Sequence, residues 1–227
     1  MDSVWKRMCV HGARIANSTA QRLGLQFNID YVVHHDFGPD IPRKYPEYDM
    51  VVCDAKRNAE IDARLLGVSE DELRNRLAAG DVCLVAYDGD VVTGWDWYGS
   101  RPLPFNQTPF DIDFGPQRVN LYLAYTYQAY RGRGLAPDRW GYGHRIMRER
   151  GFVGTGYTVG AGNLSSLGAN KRLGGMRWIG YLVYCKLGKW WFRWLSPGCR
   201  AAGVELTRQP NRPPMRWIIE EAVQKAS

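Results

Sequence analysis

The sequence predicts a single α/β domain, and three observations carry that expectation. Strand-like runs rich in β-branched and aromatic residues alternate with helical stretches along 227 residues, 45% of them hydrophobic. That is enough chain to bury one sizeable core, and short of two full domains. The segment DVCLVAYDGDVVTGWDWYG (81–99) reads as a hairpin, with Asp88-Gly89-Asp90 between two strand-like runs and the glycine supplying the positive φ of a tight turn. The segment QAYRGRGLAPDRWGYGH (128–144) gathers three arginines, four glycines and one proline where a strand turns into a helix.

Each element follows in order. Residues 3–23 fit an amphipathic helix, and FNIDYVVHH (27–35) a strand, before a connection with three prolines, DFGPDIPRKYPEYD (36–49). MVVCD (50–54) reads as a short strand, followed by helical stretches over about 55–66 and 70–79. Ser69 is the N-cap of the second, and Glu72 completes a capping box. After the hairpin comes a proline-rich loop, SRPLPFNQTPFD (100–111), then a long aromatic strand, VNLYLAYTYQAY (119–130). Pro137 lacks an N–H donor and sits comfortably only in a first helical turn, so the next helix starts near Gly134. FVGTGYTV (152–159) reads as a further strand, and KWWFRWL (189–195) as an amphipathic segment that packs its tryptophans on the domain while its cations stay in water.

The glycine-rich turn carries the first chemical signal. The backbone N–H groups of Arg133 to Ala136 point outward at the positive end of the helix dipole, and Gly132 and Gly134 let a ligand approach closely. Such a site suits an anion, a phosphate or pyrophosphate above all.

Charge and composition narrow the class. Of the formal net charge of +7, residues 186–216 hold +6, with seven basic residues (Lys186, Lys189, Arg193, Arg200, Arg208, Arg212, Arg216) against Glu205. That surface suits an acidic protein, a phosphorylated cofactor, nucleic acid or anionic lipid. The five cysteines (Cys9, Cys53, Cys83, Cys185, Cys199) show no CxxC pair or metal-ligand spacing and read as reduced thiols, with Cys53, Cys83 and Cys185 in strand cores. No metal is expected. With no apolar run long enough to span a bilayer and no signal-peptide core at the N-terminus, the expectation is a cytoplasmic protein.

Over about residues 48–187 the sequence resembles the GNAT superfamily of acyl-coenzyme-A-dependent N-acetyltransferases. The family's Q/R-x-x-G-x-G/A pattern is matched by Arg131-Gly132-Arg133-Gly134-Leu135-Ala136, preceded by Tyr130. A second block, NLSSLGANKRLGGMRWIGYLVYCKL (163–187), is similar to the stretch after the family's fifth strand, with Asn163, Ser166, Leu173 and Gly174 at the matching positions. The resemblance implies a mixed, mostly antiparallel sheet, split between the family's fourth and fifth strands and flanked by helices. It implies a pyrophosphate on the 131–136 amides, a pantetheine arm paired with an open strand edge, and Asn163 and Ser166 near its thiol end. The thioester then lies near Tyr125, Thr126 and Tyr127, where one backbone N–H stabilises the oxyanion as an amine attacks directly.

Two departures stand out. The tyrosine often found in the family's helix after the fifth strand is Asn170 here, and the glutamate often found on the fourth strand is missing. A base is open among Asp96, Asp111, Asp113, Tyr122, Tyr125, His144 and solvent, with Asp96 also suited to bind a substrate amine. The expectation is an N-acyltransferase (EC 2.3.1 type) using acetyl-CoA or another acyl-CoA, with catalytic candidates Tyr125, Asp96 and Tyr122. Alternatives are a long-chain N-acyl amino acid synthase fed by CoA or an acidic acyl carrier protein, and a non-catalytic GNAT-like binding module. Residues 1–47 form an N-terminal helix/strand extension, and 188–227 a basic Trp-rich extension offering peripheral membrane contact. Nucleic acid is not the expected partner.

Overall fold

The computed structural model describes residues 25–39, 42–56, 62–105, 108–173 and 175–209. The helix expected over 3–23, Cys9, Gly174, Arg212 and Arg216 lie outside them. Strand β1 (Leu25–Asp36) extends the expected FNIDYVVHH at both ends, and β2 is Asp49–Cys53. Where a helix was expected over 55–66, the described residues hold a single 3-10 turn, Ala63–Leu66, stopped by Gly67 at φ 66°. Helix α1 (Glu70–Ala78) is capped as its sequence dictates: the Ser69 side chain accepts from the Glu72 N–H at 3.2 Å, and three acids fill the first turn.

The hairpin forms from β3 (Val82–Asp88) and β4 (Val91–Gly99), with Gly89 at φ 58°. The expected loop 100–111 is partly strand: β5 (Leu103–Pro104) pairs with β6 (Phe110–Asp113). Leu103, Phe105, Phe110 and Ile112 are all buried there, which a surface loop would not allow. The order continues with β7 (Arg118–Thr126), α2 (Leu135–Glu149), β8 (Gly154–Gly160), α3 (Leu164–Leu173), β9 (Met176–Leu187), β10 (Trp190–Leu195), α4 (Pro197–Ala201) and β11 (Glu205–Arg208).

Eight strands form one sheet in the order β10-β9-β1-β8-β7-β4-β3-β2, and β11-β6-β5 form a second. Every neighbouring pair is antiparallel except β7 and β8. β1 lies between β8 and β9, and β10 continues the sheet, so strands on both sides of the 48–187 segment share its hydrogen bonding. On one face α2 and α3 cover a core containing Leu84, Tyr98, Leu121, Trp140, Met147 and Tyr157. The opposite face has two cores: Cys83, Trp95, Trp97 and Leu123 beneath α1, and Val32, Ile112, Leu182 and Leu206 beneath the small sheet. β7 and β8 meet at the seam between those two.

β1 buries His34, and α2 buries His144 against β1. Burial, helped by the Arg118 and Arg177 charges, lowers the pKa of His34 from 6.5 to about 4. Burial and neighbouring His35 lower that of His144 well below its usual value. Both are therefore neutral in the native state while the unfolded chain takes up protons below pH 6.5. Their stabilisation is complete above that pH and is lost as pH falls toward 4, by about 2–3 kcal/mol for His34 alone. Urea titrations between pH 7 and pH 4.5 are expected to show that decline, and His34→Gln to flatten it; an equal slope in the variant would refute the assignment.

Candidate functional site

β7 and β8 are parallel neighbours only over Arg118–Asn120 and Gly154–Gly156. Beyond that point they part, β7 running on to Thr126 and β8 to Gly160. A bulge starts the divergence: Trp97 faces Leu123 and Tyr98 faces Leu121, leaving Tyr122 as the extra residue on β7. The Tyr127 N–H reaches back to the Thr93 carbonyl at 3.0 Å. By alternation the backbone of Tyr125 faces β4, and that of Ala124 and Thr126 faces the opening. Arg131 Nε donates to the Thr126 carbonyl at 2.9 Å, closing the far end of this edge.

The glycine turn sits at the mouth of this fork. Gly132 (φ 76°) and Gly134 (φ 87°) adopt left-handed conformations, and Gly134 caps α2 with no side-chain hydrogen bond. The first-turn amides of α2 thus keep their donors for a ligand. Asp138 in that turn would oppose an anion, but it accepts from the Lys44 N–H at 2.6 Å and pairs with Arg43 at 3.6 Å. Arg133 is exposed over the Tyr130 ring, and Tyr45 donates its hydroxyl proton to the Arg133 carbonyl at 2.5 Å. Local charge at the turn is therefore positive. A sheet that forks at its one parallel pair, with a glycine turn and an uncapped helix at the mouth, decides the class of fold.

The fold is GNAT-like. No family model matches the sequence, and no curated protein matches it. Among solved structures, the chain is similar to a GCN5-related N-acetyltransferase-like protein from Streptococcus suis 89/1591, at 16% identity and TM-score 0.48, over 79% of this chain and 67% of that one. It is also similar to a GNAT-family acetyltransferase from Colwellia psychrerythraea, at 12% identity and TM-score 0.47, over 75% of this chain and 57% of that one. The chain thus spans little more than half to two thirds of their length.

In this GNAT-like frame, the second block falls on the other arm of the fork. Asn163 follows β8 and caps α3, its Oδ1 accepting from the Ser166 N–H at 3.1 Å. Asn170 is buried, donating to the Ser166 carbonyl at 2.8 Å and accepting from the Tyr157 hydroxyl at 2.7 Å. Burial pushes the Tyr157 phenol well up. Nothing near Tyr157 in the chain singles it out, because its partner is chosen by how α3 docks on β8.

The acid–base candidates separate clearly. Asp96 is fully buried; Arg139 binds it with two nitrogens, at 2.6 and 3.0 Å, and Trp140 Nε1 adds a third bond at 3.0 Å. Burial pushes its carboxyl up, and Arg139 works against that shift. The expectation that Asp96 meets a substrate amine is therefore corrected: its acceptor sites are filled by α2. Arg139, which sequence reading passed over, also donates to the Tyr125 carbonyl at 3.0 Å and so fixes the open end of β7. Gly94 makes room for it, since a Cβ there would lie 2.4 Å from Arg139 Nη1.

Tyr122 gives its hydroxyl proton to Asp81 at 2.9 Å beneath α1, and burial pushes its pKa well up. Tyr127 is tied to the Leu65 carbonyl at 2.8 Å. His144 packs on His35 at 4.5 Å beside Thr155, at the closed end of the fork. Asp113 caps the turn at Gly115, and Asp111 is buried in β6. Tyr125 remains: it is half-buried on β7's diverging half, stacked on Trp95 at 5.6 Å and edge-on to Tyr127 at 5.3 Å. Among the described residues no group of three or more His, Cys, Asp or Glu is placed to hold a metal ion, and no helix is long and apolar enough to cross a membrane.

Proposed function

We propose that the protein is an N-acyltransferase that moves an acyl group from acyl-CoA to an amine. The observation that carries this reading is the fork between β7 and β8 with the uncapped N-terminus of α2 at its mouth. In this reading the pyrophosphate rests on the amides of Arg131–Ala136, flanked by Arg131 and Arg133. The pantetheine arm pairs with the open edge at Ala124 and Thr126, and Asn163 and Ser166 border it from the β8 side. One of the two edge N–H groups stabilises the oxyanion when the amine attacks the thioester carbonyl. The C–N bond forms, the C–S bond breaks, and the amine's proton passes to solvent or to the thiolate, with the Tyr125 phenol nearest to relay it. Tyr125 and Tyr127, half-buried over the core residue Trp95, offer the acceptor an aromatic wall, which favours amines with an apolar or flat body.

The test is calorimetric titration with acetyl-, octanoyl- and palmitoyl-CoA, followed by free-thiol release across amino acids, polyamines and aromatic amines. Micromolar binding with amine-dependent thiol release is the expected result. No binding to any of the three would overturn the donor site, and binding without release for every amine would overturn the transferase.

A further inference from the structure

The β1–β9–β10 end of the large sheet carries an apolar face of its own. Of the two readings the sequence left open for KWWFRWL, an exposed basic, aromatic surface or tryptophans packed inward with the cations in water, β10 largely reverses the second. Trp190, Phe192 and Trp194 point outward and are 60%, 55% and 42% exposed. Leu187, opposite Trp190, is 51% exposed, and the same face continues through Tyr181 (44%) and Trp178 (43%) on β9 and Phe27 (47%) and Ile29 (37%) on β1. Taking about 200 Å² for each large side chain, these fractions, with Phe27 and Ile29 of β1 included, describe a contiguous apolar surface of roughly 700–800 Å². The largest patch on a typical monomer is about 300–600 Å².

Charge decides what such a face fits. An anionic membrane or an acidic protein would need cations around the aromatic residues. Instead Lys186 lies over the Trp191 ring at 5.6 Å and Arg193 over the Phe110 ring at 4.6 Å, both on the opposite side of the sheet. Among the described residues, Lys189, at the hairpin turn, lies over the Trp190 ring at the rim of the face. An uncharged pleated surface is complementary to itself: two sheets pack face to face about 10 Å apart, their strands within about 30° of alignment. A standard interface takes about 800 Å² from each partner, which matches the area here.

We propose that this face packs on the same face of a second copy of the chain, giving a two-fold symmetric dimer. Because each residue then meets its own symmetry mate's surface, one substitution places two charges in the interface. The test is sedimentation of the full chain across the micromolar range, for wild type, Trp190→Glu and Phe192→Glu. The chain mass is 25.9 kDa; wild type is expected to sediment at twice that mass. Each variant should dimerise about 100-fold or more weakly, while keeping the wild-type circular dichroism, since both side chains are exposed in the isolated chain. A wild type that stays monomeric throughout overturns the proposal. It does so whether the monomer binds phosphatidylglycerol vesicles, which would make the face a membrane surface, or shields these tryptophans from acrylamide, which would mean the chain covers them itself. A dimer that both variants leave intact overturns it as well, by placing the contact elsewhere.

Discussion

Arg139→Leu is expected to destabilise the protein by about 3–5 kcal/mol, the usual result of stranding one member of a buried ion pair. Arg139 and Asp96 are both fully buried, and the guanidinium meets the carboxylate through two nitrogens. Removing the arginine leaves a carboxylate with one remaining donor, Trp140 Nε1. For a chain of this size the loss corresponds to a melting temperature lower by about 10–15 °C. Asp96→Leu combined with Arg139→Leu should recover most of the deficit, because two apolar groups of fitting volume need no partner. Denaturant titration of both single variants and the double variant measures the coupling. If the double variant is as unstable as the sum of the singles, the two residues do not act as a pair. Arg139 also holds the Tyr125 carbonyl, so the single variant should loosen β7 where the fork opens.

The second large effect is expected at the turn. Gly134 sits at φ 87°, where any other residue is strained by about 1–2 kcal/mol, and its amide begins the uncapped end of α2. Gly134→Glu adds a carboxylate among donors aimed at a phosphate, and acyl-CoA affinity should fall at least about 100-fold, equivalent to about 3 kcal/mol. Gly151→Ala supplies the control: Gly151 has φ 92° with open space around it, just past the other end of α2. It carries similar backbone strain but should bind like wild type. Calorimetry on both separates the cause. Equal affinity in Gly134→Glu and wild type would move the anion away from this turn.

Much of this site is written in short-range signals. The Ser69 cap, Gly89 in its hairpin, Pro137 after Gly134 and Asn163 before α3 each act within four residues and each formed. The expected second half of the capping box did not: the Glu72 carboxylate accepts from Arg76 Nε at 2.8 Å instead. The glycine turn at the start of α2 was legible because a left-handed glycine and an uncapped helix start are also local properties. Asp96 was misjudged because nothing near it in the chain announces Arg139, 43 residues away. The strands in 100–111 were missed because prolines signal a connection, whereas four buried apolar side chains make two short strands under β1 and β9.

The sequence by itself determined the elements that frame the site and the chemistry of their junctions: a strand, a glycine turn and a helix whose first-turn amides suit a phosphate. Only the tertiary structure decided where those junctions meet. It inserted β1 between β8 and β9, opened β7 from β8 at the Tyr122 bulge, and turned Trp190 and Trp194 outward with Trp191 and Arg193 on the other side. The physical reason is range. Caps and turns are settled by backbone groups a few residues apart, whereas strand order, bulges and the face a strand presents depend on which distant apolar surfaces bury one another.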